Sequence, residues 1–108
     1  MIQTTEALTA IDVNTEKAIK GKNDTQAMFR KINLEAAEEI AYQLRLRNIT
    51  GIIIIDFIDM GEEKNKQEII EQLEESLKKD RTKSQILGFT KLNLLEMTRK
   101  NMCNNEDF

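Results

Sequence analysis

The run Gly51-Ile52-Ile53-Ile54-Ile55-Asp56-Phe57-Ile58 constrains this chain more than any other segment. Consecutive β-branched residues lose χ1 freedom in a helix and pack well on a pleated surface, so the run reads as a strand. Because it is continuously apolar rather than alternating, it predicts a central strand covered on both faces. Asp56 interrupts it. A carboxylate among isoleucines and a phenylalanine gives up apolar burial and desolvates a charge, costing on the order of several kcal/mol unless a cation or hydrogen bonds compensate.

A second strand precedes it. From Thr5 to Asn14, the residues Ala7, Thr9, Ile11 and Val13 alternate with Leu8, Ala10, Asp12 and Asn14, which places Asp12 and Asn14 on one strand face. After a polar stretch from Thr15 to Asp24, apolar residues recur at Met28, Phe29, Ile32, Ala36, Ala37, Ile40, Ala41 and Leu44 with helical spacing. This predicts a long amphipathic helix ending near Asn48. A second helix is predicted over Glu62–Lys79, with the stripe Ile69, Ile70, Leu73 and Leu77. Its charges, Glu62 and Glu63 near the start and Lys78 and Lys79 at the end, suit the helix dipole. Gln85–Thr90 and Leu92–Thr98 read as short strands joined by a tight connection, and 101–108 as a polar, flexible tail. The order β-α-β-α-β-β belongs to the α/β class, a mixed sheet with helices packed on it. A crossover through the first helix permits the Asp12 and Asp56 strands to run parallel. If they are neighbours, both carboxylates meet at the carboxyl-terminal rim, where ligands of such sheets collect.

Composition narrows the chemistry available at that rim. With 108 residues the chain can bury one modest core, so 1–108 is read as a single unit with its core in 5–100. A net charge of -3 supplies no global pull toward a polyanion, and any nucleic-acid contact must be local. One cysteine, Cys103, and no histidine exclude an internal disulfide, a cysteine–histidine zinc site and histidine acid–base catalysis within one chain. No apolar run reaches membrane-spanning length and the N-terminus is unlike a signal peptide, so a soluble, cytoplasmic protein is expected. What remains is carboxylate, amide and amine chemistry. Asp12, Asp56 and the amide oxygen of Asn14 are hard ligands suited to Mg²⁺, with Mn²⁺ as a substitute, and Mg²⁺ commonly bridges to a substrate phosphate. The competing reading makes Asp56 or Asp59 a turn cap entering the Glu62 helix. Arg45, Arg47, Arg81, Lys83, Arg99 and Lys100 either line an RNA path or form an ordinary solvated surface. Glu96 is a further acidic residue near the rim or a solvent-facing strand position.

Five blocks tip this balance: Thr5-Glu6-Ala7-Leu8-Thr9-Ala10-Ile11-Asp12-Val13-Asn14-Thr15, Asn33-Leu34-Glu35-Ala36-Ala37, Gln43-Leu44-Arg45-Leu46-Arg47-Asn48, Gly51 through Met60, and Leu95-Glu96-Met97-Thr98-Arg99-Lys100. In order and spacing they closely resemble the ribonuclease E/G family, within its deoxyribonuclease-I-like catalytic subdomain. The resemblance implies that Asp12 and Asp56 are the two magnesium-binding aspartates and that Asn14 is the amide helping to hold the metal and its water. It implies hydrolysis of single-stranded RNA to 5′-phosphate and 3′-hydroxyl ends, in RNA processing and decay, by a homo-oligomeric parent enzyme. Asp59, in the same motif, is ranked as structural support. Arg81 and Lys83 stand where the family carries basic residues near the RNA, and Arg99 and Lys100 are further candidate RNA contacts.

The departures from the family pattern set further expectations. The start at Met1-Ile2-Gln3-Thr4 falls within the family's opening hairpin, so the Asp12 strand is expected to be an exposed edge able to self-associate. Cys103 lacks a partner at the spacing of the family's zinc-binding pair, and no zinc is expected. As a piece of a larger enzyme the chain is expected to cleave weakly or not at all, because positioning parts are missing. The alternatives are a non-catalytic assembly module whose aspartates cap turns, and a two-carboxylate hydrolase acting on DNA or small phosphate esters.

Overall fold

A computed structural model describes residues 2–4, 8–13, 26–59 and 61–100. Its elements in chain order are β1 (Ile2–Thr4), β2 (Leu8–Asp12), α1 (Gln26–Leu46), β3 (Gly51–Asp56), α2 (Glu63–Ser76), β4 (Lys83–Phe89) and β5 (Leu95–Lys100). The strands form one mixed sheet in the order β1-β2-β3-β5-β4. As the crossover through α1 allows, β2 and β3 are parallel neighbours, in register from Leu8↔Ile52 to Asp12↔Asp56. The remaining pairs are antiparallel.

One expectation is overturned at the amino-terminal end. The strand bearing Asp12 is not an edge, because Ile2, Gln3 and Thr4 pair with Ile11, Ala10 and Thr9. Backbone groups of β2 that would template a second chain are thus used within the fold, and β1 and β4 are the edges.

A second correction concerns β3. Ile53 and Ile55 are fully buried, but Ile52, on the opposite face, is half exposed. Both helices cover the same side. Ala37, Ile40, Ala41 and Leu44 of α1 and Ile69, Leu73 and Leu77 of α2 pack on Ile11, Ile53, Ile55, Leu95 and Met97. An exposed bidentate bridge from Arg30 to Glu68 ties the helices to each other. The other face carries Leu8 and Ile52 uncovered beside the half-buried Ile54. A continuous apolar run therefore does not report which faces are covered; that depends on where the crossovers pass. Ile53→Ala is expected to cost about 2–5 kcal/mol and Ile52→Ala less than about 1 kcal/mol in urea unfolding. Equal losses would mean that both faces are covered.

The carboxyl-terminal hairpin is longer than its sequence reading. β4 begins at Lys83, β5 runs to Lys100, and Leu92 belongs to the turn. Thr90 closes that turn, its hydroxyl accepting from the amides of Leu92 and Leu94, while Asn93 takes a left-handed conformation with φ 64°. Asparagine tolerates this geometry better than a bulkier residue. Helix α2 ends at Ser76, so Lys78 and Lys79 lie beyond it rather than in its last turn. Among the described residues no helix is long and apolar enough to cross a membrane.

The amino-terminal end of β3 is closed by a buried ion pair. Arg99 donates from Nε and Nη2 to the Asp80 carboxylate at 2.8 and 3.0 Å, and from Nη1 to the Ile49 carbonyl at 2.9 Å. The two side chains are 3% and 5% exposed. Three segments distant in sequence, the loop before β3, the loop before β4, and β5, are thereby joined at one guanidinium. Burial on its own would raise the Asp80 carboxyl. The Arg99 and Thr82 hydrogen bonds, with the Arg99 and Arg45 charges, outweigh that effect and hold it below its usual range.

Candidate functional site

The register Asp12↔Asp56 is what builds the site. Both residues end their strands and both lie on the sheet face away from the helices. Parallel neighbours put their backbones about 4.8 Å apart, so the two carboxylates share one patch of the rim. The Val13 amide donates to the Asp56 carbonyl at 2.9 Å and carries the β2–β3 pairing one residue further. Asp12 is exposed and Asp56 half-buried. Burial, and then the neighbouring Asp12 charge, push the Asp56 carboxyl above the ordinary carboxylate range. Folding therefore brings two like charges together at a cost that a cation between them would remove.

Among the described residues no group of three or more histidine, cysteine, aspartate or glutamate side chains converges. Glu96, opposite Ile54, shares the outer face but does not complete such a group. The described donors are two carboxylates, hard oxygen ligands of a kind that can hold a divalent cation. Asn14 lies outside the described residues, as do Cys103 and the tail.

Around the aspartates the rim is braced by hydrogen bonds. Asp59 accepts from the Gly61 amide at 2.9 Å, the turn-capping role anticipated for it. Its other oxygen is 3.4 Å from the Asn93 amide nitrogen, and Asn93 accepts from Lys66 Nζ at 2.7 Å. Lys66 also sits over the Phe89 ring, 5.7 Å from its centroid. The β4–β5 turn thus reaches the same rim, and at its tip Lys91 and Leu92 are exposed. Lys91 is an exposed cation at this end of the sheet that sequence reading did not single out. No periodic pattern marks it, and only the pairing of Leu95 with Ile55 brings its turn to the Asp56 end.

The basic residues expected near RNA are distributed differently. Lys83 pairs with Lys100, and Gly51, at the opposite end of β3 from Asp56, pairs with Arg99. Arg99 faces Gly51, five steps from Asp56, and Lys100 lies one step further, so at 3.3 Å per residue Lys83 and Lys100 are about 20 Å or more from the aspartates. They and Arg81 are exposed but not gathered with the carboxylates. Arg99 requires correction. Its guanidinium is buried and committed to Asp80, Ile49 and Asn48, so it is a structural residue rather than a surface contact. Alternation along β5 already points it inward, because Leu95, Met97 and Arg99 share a face.

Sequence reading also passed over Asn33, fully buried in α1. A signal was present: Phe29, Asn33 and Ala37 are spaced by four, which places an amide on the apolar stripe.

Comparison with known proteins gives this geometry a context. A model of the Ribonuclease E/G family matches residues 1–102. Ribonuclease G of Salmonella typhimurium (strain SL1344) is 49% identical over 100 residues, covering 93% of this chain and 20% of that protein. Ribonuclease G of Escherichia coli (strain K12) is 48% identical with the same coverage. Ribonuclease E of Escherichia coli (strain K12) is 44% identical over 102 residues, 94% of this chain and 10% of that protein. The chain spans about a fifth of the length of these Ribonuclease G relatives.

Proposed function

This chain belongs to the Ribonuclease E/G family, and on that premise we propose that it is the magnesium-binding catalytic segment of an endoribonuclease acting on single-stranded RNA. Residues 1–108 are read as one deoxyribonuclease-I-like subdomain of a larger, homo-oligomeric enzyme. The observation that carries this reading is the in-register pair Asp12↔Asp56 on one face of the rim, together with the raised Asp56 carboxyl. A pair of facing carboxylates is an expensive arrangement for a turn cap and an economical one for a divalent cation.

Asp12 and Asp56 would hold Mg²⁺, with Asn14, two residues beyond Asp12, as the amide contributing to the same site. When bound, such an ion would neutralise phosphate charge and lower the pKa of an attacking water, so the absence of histidine is no obstacle. The protein's part is placement. The β2–β3 ladder and the Val13–Asp56 bond fix the spacing of the carboxylates, and the Asp59 turn directs the chain away from them. Lys91, exposed on the braced β4–β5 turn, is placed to meet a substrate phosphate. Hydrolysis in this manner leaves a 5′-phosphate and a 3′-hydroxyl. Lys83 and Lys100, about 20 Å away by strand rise, and Arg81, just before β4, would contact RNA only upstream or downstream of the cut.

A second reading, a non-catalytic interaction module, is favoured by one observation, the uncovered Leu8 and Ile52 on the outer face. Titration of this chain with Mn²⁺, followed by calorimetry and by NMR line broadening, separates the two. The catalytic reading expects broadening centred on Asp12 and Asp56, lost in both Asp12→Asn and Asp56→Asn. Broadening that is diffuse and indifferent to both substitutions would overturn it in favour of the module.

A further inference from the structure

Asp56 is the last residue of β3, so the sheet holds it from one side only. The chain then leaves the ladder through Phe57, Ile58 and Asp59 before α2 begins. Phe57 and Ile58 are 2% and 5% exposed, and among the described residues no strand pairs with them. At Ile58 both backbone groups are instead met by one side chain. The Ile58 amide donates to Asn33 Oδ1 at 3.0 Å, and Asn33 Nδ2 donates to the Ile58 carbonyl at 2.9 Å. An antiparallel strand residue would make this same reciprocal pair of bonds. Here a helix side chain makes them, from a position that is 0% exposed.

We propose that Asn33 is a positioning residue for the Asp56 carboxylate, holding the backbone two residues beyond it so that Asp56 meets Asp12 in a fixed geometry. The inference rests on the metal-site reading above. It follows from three constraints acting in series: the β2–β3 ladder up to Asp56, the Val13 amide on the Asp56 carbonyl, and the Asn33 clamp on Ile58. Without the clamp, two desolvated backbone groups seek other partners, and the turn that carries Asp59 is free to rotate about Phe57. Asparagine is the side chain for the task because it offers one donor and one acceptor at the spacing of a peptide group. Leucine offers neither, and aspartate only the acceptor. A ligand displaced by even an ångström loses much of its metal-binding geometry.

A purely structural role would lower stability and leave the site intact, so the test reads both. Asn33→Asp and Asn33→Leu are compared with Leu44→Ala, a fully buried core change at the far end of α1 that supplies a stability loss without touching the rim. For each folded variant, Mn²⁺ affinity and amide hydrogen exchange at residues 57–59 are measured on this chain. The expected result is affinity reduced about tenfold or more, with faster exchange at 57–59, in both Asn33 variants, and neither change in Leu44→Ala. Affinity within twofold of wild type, despite faster exchange, would overturn the positioning role while leaving the metal site standing. Wild type that binds no Mn²⁺ at Asp56 would overturn the site reading and, with it, the purpose assigned to Asn33. Should neither Asn33 variant fold, exchange in wild type decides. The proposal requires the Ile58 amide to be protected like the amides of β3, and exchange as fast as that of the exposed Lys91 turn would overturn it.

Discussion

Arg99→Met is expected to cost about 3–5 kcal/mol, a large share of the roughly 5–15 kcal/mol that holds a domain of this size together. The loss does not measure the worth of a salt bridge, for two charges taken out of water recover little more than their desolvation. It measures what is left behind. Asp80, 5% exposed as a side chain, would keep its charge without the guanidinium that now donates to both of its oxygens. The Ile49 carbonyl would lose its 2.9 Å partner as well. The double substitution Arg99→Met with Asp80→Leu removes both charges and is expected to recover most of the loss, the non-additivity that marks a coupled pair. Urea unfolding of the single and double variants checks this, and equal losses that simply add would show that the pair is not coupled. The pH dependence has a definite sign. Because Asp80 is held below its unfolded value, its contribution is present above the ordinary aspartate range and is lost as pH falls through the lower, folded value.

Asp56→Asn is expected to act in opposite directions on binding and on stability. Loss of a coordinating oxygen should weaken Mn²⁺ or Mg²⁺ binding by more than the roughly 10–100-fold that removal of an outer-sphere partner costs. In the absence of metal the same substitution should stabilise the chain. Burial and the Asp12 charge raise the Asp56 carboxyl, so the folded state holds the proton more tightly than the unfolded state does. The contribution of Asp56 is thus fully present below its unfolded value and lost as pH rises through the raised, folded one. At neutral pH the ionised group opposes folding. Since Asp56 is only half-buried and water screens the pair, the gain is modest, about 0.5 kcal/mol or ~3 °C in Tm. Thermal unfolding with and without divalent metal measures it. A metal-free Asp56→Asn chain less stable than wild type would mean that the carboxylate is a cap that stabilises the fold. Metal binding should weaken as pH falls through the raised Asp56 value, at a higher pH than for an isolated aspartate.

The two residues carry the same lesson in opposite senses. Asp56 stood out in sequence because a charge inside an isoleucine run is costly unless something compensates it, and the β-α-β order permitted the parallel pairing with β2 that the structure shows. Arg99 is more deeply buried than Asp56, on the inner face of β5 with Leu95 and Met97, yet its sequence neighbours Thr98 and Lys100 make it read as one more cation in a basic patch. Its partner Asp80 is nineteen residues away and belongs to a loop. Local pattern records what a residue costs to bury, not which distant group offsets that cost.

Periodicity therefore located β2 to β5 and both helices, though not β1 or the covered face of β3, because backbone geometry repeats every two residues in a strand and every 3.6 in a helix. The family blocks singled out Asp12 and Asp56 as candidate metal ligands, and the register of the sheet sets the two side by side. Only the tertiary structure decided that β1 covers the edge of β2, that one face of β3 is left bare, that Lys91 rather than Lys83 shares the rim with the aspartates, and that Asn33 holds Ile58. Each of these is a relation between segments far apart in the chain, set by register and by the side of the sheet on which a crossover passes. Such relations arise from minimising unsatisfied backbone and exposed apolar area over the whole molecule, and no window of neighbouring residues contains them.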